Sequence, residues 1–101
     1  MKAMTLFGCF GLVLVSSAAS GADAEAGKRL AQLQCAPCHI VAPNQREEIA
    51  EAPPFEVIGR KFEFNFDMLV LGLMGPHAKM NFSLRRPEAV DIAAYIGTLG
   101  K

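Results

Sequence analysis

The chain is 101 residues long, with ten Lys and Arg against ten Asp and Glu, so it holds one domain at most and projects no strong global field. That balance excludes the basic footprint of a nucleic-acid binder.

The first 22 residues, MKAMTLFGCFGLVLVSSAASGA, carry one early cation at Lys2, an apolar run over 4–15, and then small residues. This order is that of a secretory signal peptide. Ser20 and Ala22 meet the small-x-small cleavage rule, so the cut is expected after Ala22, with Ala19 and Ala24 as neighbouring alternatives. An uncleaved anchor stands as a rival, but the strongly apolar part falls short of the ~20 residues that span a bilayer. A lipoprotein box at Leu6-Phe7-Gly8-Cys9 is weaker, because most of the apolar core follows Cys9. The expected division is a leader over 1–22 and one exported domain over 23–101, with no stable membrane insertion.

Residues 24–34 (AEAGKRLAQLQ) place Ala26, Leu30 and Leu33 at i, i+4, i+7, with Asp23 available as N-cap and Glu25 in the first turn; one short amphipathic helix is predicted. Gly27 inside it costs about 1 kcal/mol of helix stability. Tolerance in a first turn or close approach of another helix would account for it.

Loss of the leader takes Cys9 and leaves Cys35 and Cys38. A disulfide between them would close a very short loop and remove little chain entropy. A chain this small has a marginal core without a disulfide, a metal or a cofactor, and a large buried cofactor would supply the missing interior. Cys35, Cys38 and His39 form CxxCH, the attachment signature of c-type haem. Two thiols add across the two porphyrin vinyl groups from one tight turn, and the next imidazole then reaches the iron. A thioredoxin-like CxxC would follow a strand and open a long helix. A closed structural zinc site needs four ligands, for which only His77 remains as a nitrogen donor.

Residues 40–61 (IVAPNQREEIAEAPPFEVIGRK) contain three prolines, clustered charge and no sustained apolar period. They are predicted as a long surface loop with a helical turn around 46–50, and loops of that length in a small domain usually wrap something. In FEFNFDMLVLGLMG, Phe62, Phe64 and Phe66 alternate as in a strand, whereas Asp67 followed by MLVLGLM resembles an N-cap and two helical turns. A helix over 67–73 is favoured, with the strand as alternative. Residues 87–99 (PEAVDIAAYIGTL) give the clearest helix: Pro87 suits its start, Glu88 its first turn, and Ile92, Tyr95, Ile96 and Leu99 form the core stripe. Arg86 is then a poor N-cap, and Gly100 closes the helix.

Iron held by His39 needs a sixth ligand. Methionine sulfur opposite histidine is the electron-transfer arrangement, and an open position favours ligand binding or catalysis. Met68 and Met74 fall in or beside an apolar helix, where methionine is ordinarily core filler. Met80 lies in MGPHAKMNFSL, a loop able to cross the second haem face, and is the expected ligand. His77 is its rival; Lys79 is read as a solvated charge able to displace Met80 at high pH.

CAPCHIVAPN, APPFEVI, and GLMGPHAKMNFSL followed by PEAVDIAAYIGTL resemble, in the same order and at similar separations, the small class I cytochromes c of bacteria. The resemblance covers essentially the whole domain. It implies an all-α cytochrome c fold of three to four short helices around one covalently attached haem c, with first and last helices crossing at Gly27 and Tyr95, Ile92 beside them. It further implies a carbonyl from Pro53 to the Nδ1 of His39, fixing the ring. Asn81 follows Met80 where many relatives have proline, and Arg85-Arg86-Pro87 stands where a Ser or Thr cap is usual. The expectation is a soluble monohaem one-electron carrier of the bacterial periplasm, monomeric, meeting redox protein partners at the haem edge. Phe55, Ile58, Leu69, Leu73, Phe82, Ile92 and Ile96 are candidate pocket walls, and Lys28, Arg29, Lys61 and Lys79 a candidate basic rim. A dedicated haem subunit of a dehydrogenase or reductase is the alternative, as is a haem enzyme or sensor if the sixth position is open.

Overall fold

The computed structural model describes residues 8, 11, 21–45, 52–77 and 83–101. Four α-helices follow one another among the described residues: α1 (Ala24–Leu30), α2 (Phe55–Lys61), α3 (Phe66–Met74) and α4 (Arg86–Thr98). No strand occurs among the described residues.

The α1 helix starts where expected: the Asp23 carboxylate accepts from the Ala26 amide at 3.1 Å and caps it. It does not run to the cysteines as a plain α-helix, because Ala31–Cys35 forms a π-turn in which the Ala36 amide donates to the Ala31 carbonyl at 2.9 Å. The widened turn delivers the chain into the CxxCH segment. Of the Ala26, Leu30, Leu33 stripe, Leu30 packs against the core but Leu33 is 76 % exposed, while Gly27 and Ala31 are buried. Small residues let α1 approach α4 closely, so the centre of its buried face lies on glycine and alanine.

The most extensive packing is between α1 and α4, and α3 also lies on α4. Their crossing depends on Gly27, where a Cβ would overlap the Asp91 carbonyl and crowd the Ile92 amide. The α4 helix contributes Ala89, Ile92, Ala93, Tyr95 and Ile96 to the core, joined by Leu69 and Val70 of α3. It begins one residue earlier than expected, with Arg85 at the N-cap. The Glu88 carboxylate accepts from the Arg85 amide at 3.0 Å, so a cap side chain is replaced by an N3 acceptor.

The segment 40–61 is not all loop. Pro54 caps α2 in an extended conformation, Phe55 and Gly59 are buried one turn apart, and Arg60 and Lys61 sit at the C-terminal end. Prolines and charges masked this short helix; the turn expected around 46–50 lies outside the described residues. The Phe62, Phe64, Phe66 alternation is not a strand either. Glu63 and Phe64 take φ of 55° and 53°, a conformation costing roughly 1–3 kcal/mol each for residues other than glycine. The Phe64 ring, packed against Gly59 and Gly100 where neither has a Cβ to obstruct it, holds the turn. Gly100 is thus a packing glycine with ordinary φ. Asn65, not Asp67, caps α3, accepting from the Met68 amide at 3.0 Å.

Gly27→Ala should lower the unfolding free energy by about 2 kcal/mol, despite alanine's better helix propensity, because both obstructing groups belong to the α4 backbone. Denaturant titration of the holoprotein measures it.

Candidate functional site

The CxxCH segment forms a tight turn in which the amides of Cys38 and His39 both donate to the Cys35 carbonyl, at 3.1 and 2.8 Å. Closing the chain this way brings Cys35, Cys38 and His39 to one wall of a cavity of about 400 Å³. Apolar side chains line most of the rest: Phe55 and Ile58 from α2, Phe62 beyond it, Leu69 and Leu73 from α3, and Ile96 from α4. Ile92 does not line it; it is fully buried in the α1–α4 packing. Phe82 lies outside the described residues.

His39 is the best-oriented group of the site. Its Nδ1 lies 2.6 Å from the carbonyl oxygen of Pro53, 14 residues along the chain. A carbonyl only accepts, so Nδ1 carries the proton and Nε2 is left with a free lone pair. The ring is flanked by Phe55 at 5.6 Å between centroids, and Phe55 in turn by Tyr95 at 6.4 Å, spacings typical of aromatic pairs.

Tyr95 does not line the cavity. Its hydroxyl donates to the Val41 carbonyl at 2.6 Å, and burial, with a smaller effect of the Glu25 carboxylate, pushes its phenol above the ordinary value. Tyr95 therefore fastens α4 to the segment just after His39. Gln45, which no sequence pattern singles out, secures the same segment: its amide nitrogen donates to the His39 carbonyl at 3.1 Å and its oxygen accepts from the Val41 amide at 2.9 Å.

The two thiols differ. Cys35 is half-buried and burial pushes it up to about 11, whereas Cys38 is exposed. Met68 and Met74 are exposed rather than core filler, and neither lines the cavity. Met80 and Lys79 lie outside the described residues. His77 lines the cavity with its ring 6.1 Å from that of His39, nearly perpendicular to it. Among the described residues no three His, Cys, Asp or Glu side chains converge as a metal-binding group.

Cytochrome c-552 of Bradyrhizobium diazoefficiens is 45 % identical to this chain over 94 residues, covering 90 % of each. The chain belongs to the small monohaem class I c-type cytochromes. No family model and no solved structure matches it. The all-helical architecture is that of the cytochrome c fold. As a c-type cytochrome the chain carries covalently bound haem c and serves electron transport. Its residues fit that group: two thiols and an imidazole with its outer nitrogen already engaged share the wall of an otherwise apolar cavity.

Tyr95→Phe keeps the ring but strands the Val41 carbonyl, and should cost about 1–2 kcal/mol of stability at neutral pH. Because the folded phenol titrates above its unfolded value, this contribution is intact below about pH 10 and is lost as pH rises through the folded value. The difference between wild type and variant, followed by denaturation across pH, should therefore shrink in strong alkali.

Proposed function

We propose that residues 1–22 are removed on export to the bacterial periplasm and that the remaining domain is a soluble, monomeric one-electron carrier between redox protein partners. In this reading Cys35 and Cys38 would hold the haem by thioether bonds, and His39 through Nε2 and Met80 through its sulfur would bind the iron. The observation that carries it is the hydrogen bond from His39 Nδ1 to the Pro53 carbonyl, which fixes the orientation of the imidazole. No helix among the described residues is long and apolar enough to cross a membrane.

Bound haem c supplies a one-electron couple at iron and an edge through which the electron passes. The protein's part is positional. Phe55, Ile58, Leu69, Leu73 and Ile96 give the cavity apolar walls; with haem bound, such walls would disfavour the more positive oxidised centre and raise the potential. Tyr95 and Gln45 hold the backbone after His39 in place, which steadies the segment that carries the imidazole. At the rim, the Lys61 ammonium stands 5.7 Å from the centre of the Phe62 ring, and Phe62 lines the cavity. A cation there suits steering of an acidic partner toward the haem edge. Exposure of Met68 and Met74 away from the cavity supports Met80 as the thioether ligand.

Absorption spectra of the purified oxidised protein test the ligand assignment. Wild type should show the weak near-infrared sulfur-to-iron band; Met80→Ala should lose it and bind carbon monoxide readily when reduced, while Met74→Ala retains it. Survival of the band in Met80→Ala would overturn Met80, and ready carbon monoxide binding by wild type would favour an open-site haem enzyme or sensor.

A further inference from the structure

The backbone nitrogen of Asp23 lies 2.9 Å from the Oδ1 of Asp91. Asp91 belongs to α4 at the point where its carbonyl faces Gly27, so its side chain reaches across the α1–α4 crossing to the residue just before α1. The Asp23 carboxylate is engaged separately, capping the Ala26 amide. Asp23 is thus the place where the chain enters the domain, and a carboxylate from the last helix already waits on its nitrogen.

We propose that leader removal after Ala22 converts this amide hydrogen bond into an ion pair between the new α-ammonium of Asp23 and the Asp91 carboxylate, so that export processing fastens α1 to α4. The proposal rests on the leader reading above. A signal peptidase hydrolyses the Ala22–Asp23 peptide bond: hydroxyl from water goes to the Ala22 carbonyl, which leaves as a carboxylate on the leader. The Asp23 nitrogen takes up hydrogen and becomes an amine, protonated below its ordinary pKa of about 7.7–8.0. The Asp91 carboxylate, already the charged acceptor of an amide hydrogen bond, then faces a donor that is charged as well.

The geometry also separates the three candidate cuts. Cleavage after Ala24 would delete Asp23, and with it both the cap and the link to α4. A cut after Ala19 leaves an uncharged amide at residue 23. Only a cut after Ala22 places a cation at the Asp91 carboxylate. The unprocessed chain keeps the amide donor and lacks the second charge.

Intact mass of the exported holoprotein gives the natural start, expected at Asp23; any other start overturns the processing half of the proposal and the cleavage reading with it. The pairing itself is tested at pH 6 on holoproteins made to begin at Asp23 or at Gly21, each with and without Asp91→Asn. The form beginning at Asp23 should melt about 2–4 °C higher than the one beginning at Gly21. With Asp91→Asn, which keeps size and an acceptor oxygen, that difference should vanish, and added salt should narrow it in the parent pair. Equal melting of the two starts, or an equal cost of Asp91→Asn in both, would overturn the ion pair whatever the natural cut.

Discussion

The hydrogen bond between His39 Nδ1 and the Pro53 carbonyl ties together the two parts of the site that sequence separates. On one side is the turn bearing both cysteines; on the other is the entrance to α2, whose Phe55 and Ile58 form the facing wall. A second bond, from the Phe55 amide to the Ile40 carbonyl at 2.8 Å, reinforces the same junction. Proline suits the position because its fixed φ presents a carbonyl while adding no competing amide donor. With Nδ1 committed as a donor, the imidazole has one nitrogen left for a metal, so tautomer and ring direction are settled by the fold.

The α1–α4 crossing supports this junction from behind. Near-contact of backbones at Gly27 puts Tyr95 where it can reach Val41, two residues beyond His39. Fixing the last helix therefore fixes the segment that follows the CxxCH turn, which is how packing far from the cysteines acts on the imidazole. The described core is small, and several of its members also border the cavity. A domain of this size gains from a large apolar cofactor as an interior element, so haem c serves both as the redox group and as part of what the helices fold around.

Much of this was legible in the sequence because CxxCH binds three chemical roles to one local turn, and local turns do not depend on distant packing. The α4 helix was readable to within a residue for a similar reason: its apolar positions recur with the helical period. What escaped were features set by contacts between elements. The buried face of α1 is made of glycine and alanine, which carry little hydrophobic signal; α2 is a single short helix behind two prolines; and the left-handed Glu63-Phe64 turn depends on a ring seated against two glycines far apart in the chain, Gly59 and, beyond the last helix, Gly100. Gln45 carried no signal at all, since a polar residue in a proline-rich segment looks solvated until its two backbone partners are known. The resemblance, by contrast, pointed directly to Pro53, a pairing across 14 residues that no local pattern implies.

Nitrogen-resolved NMR of His39 in the reduced holoprotein bears most directly on the constraint that organises the site. A slowly exchanging proton on Nδ1, coupled to the Pro53 carbonyl, with Nε2 bound to iron, is the expected result. A Nδ1 proton in free exchange with solvent, or iron bound through Nδ1, would contradict it.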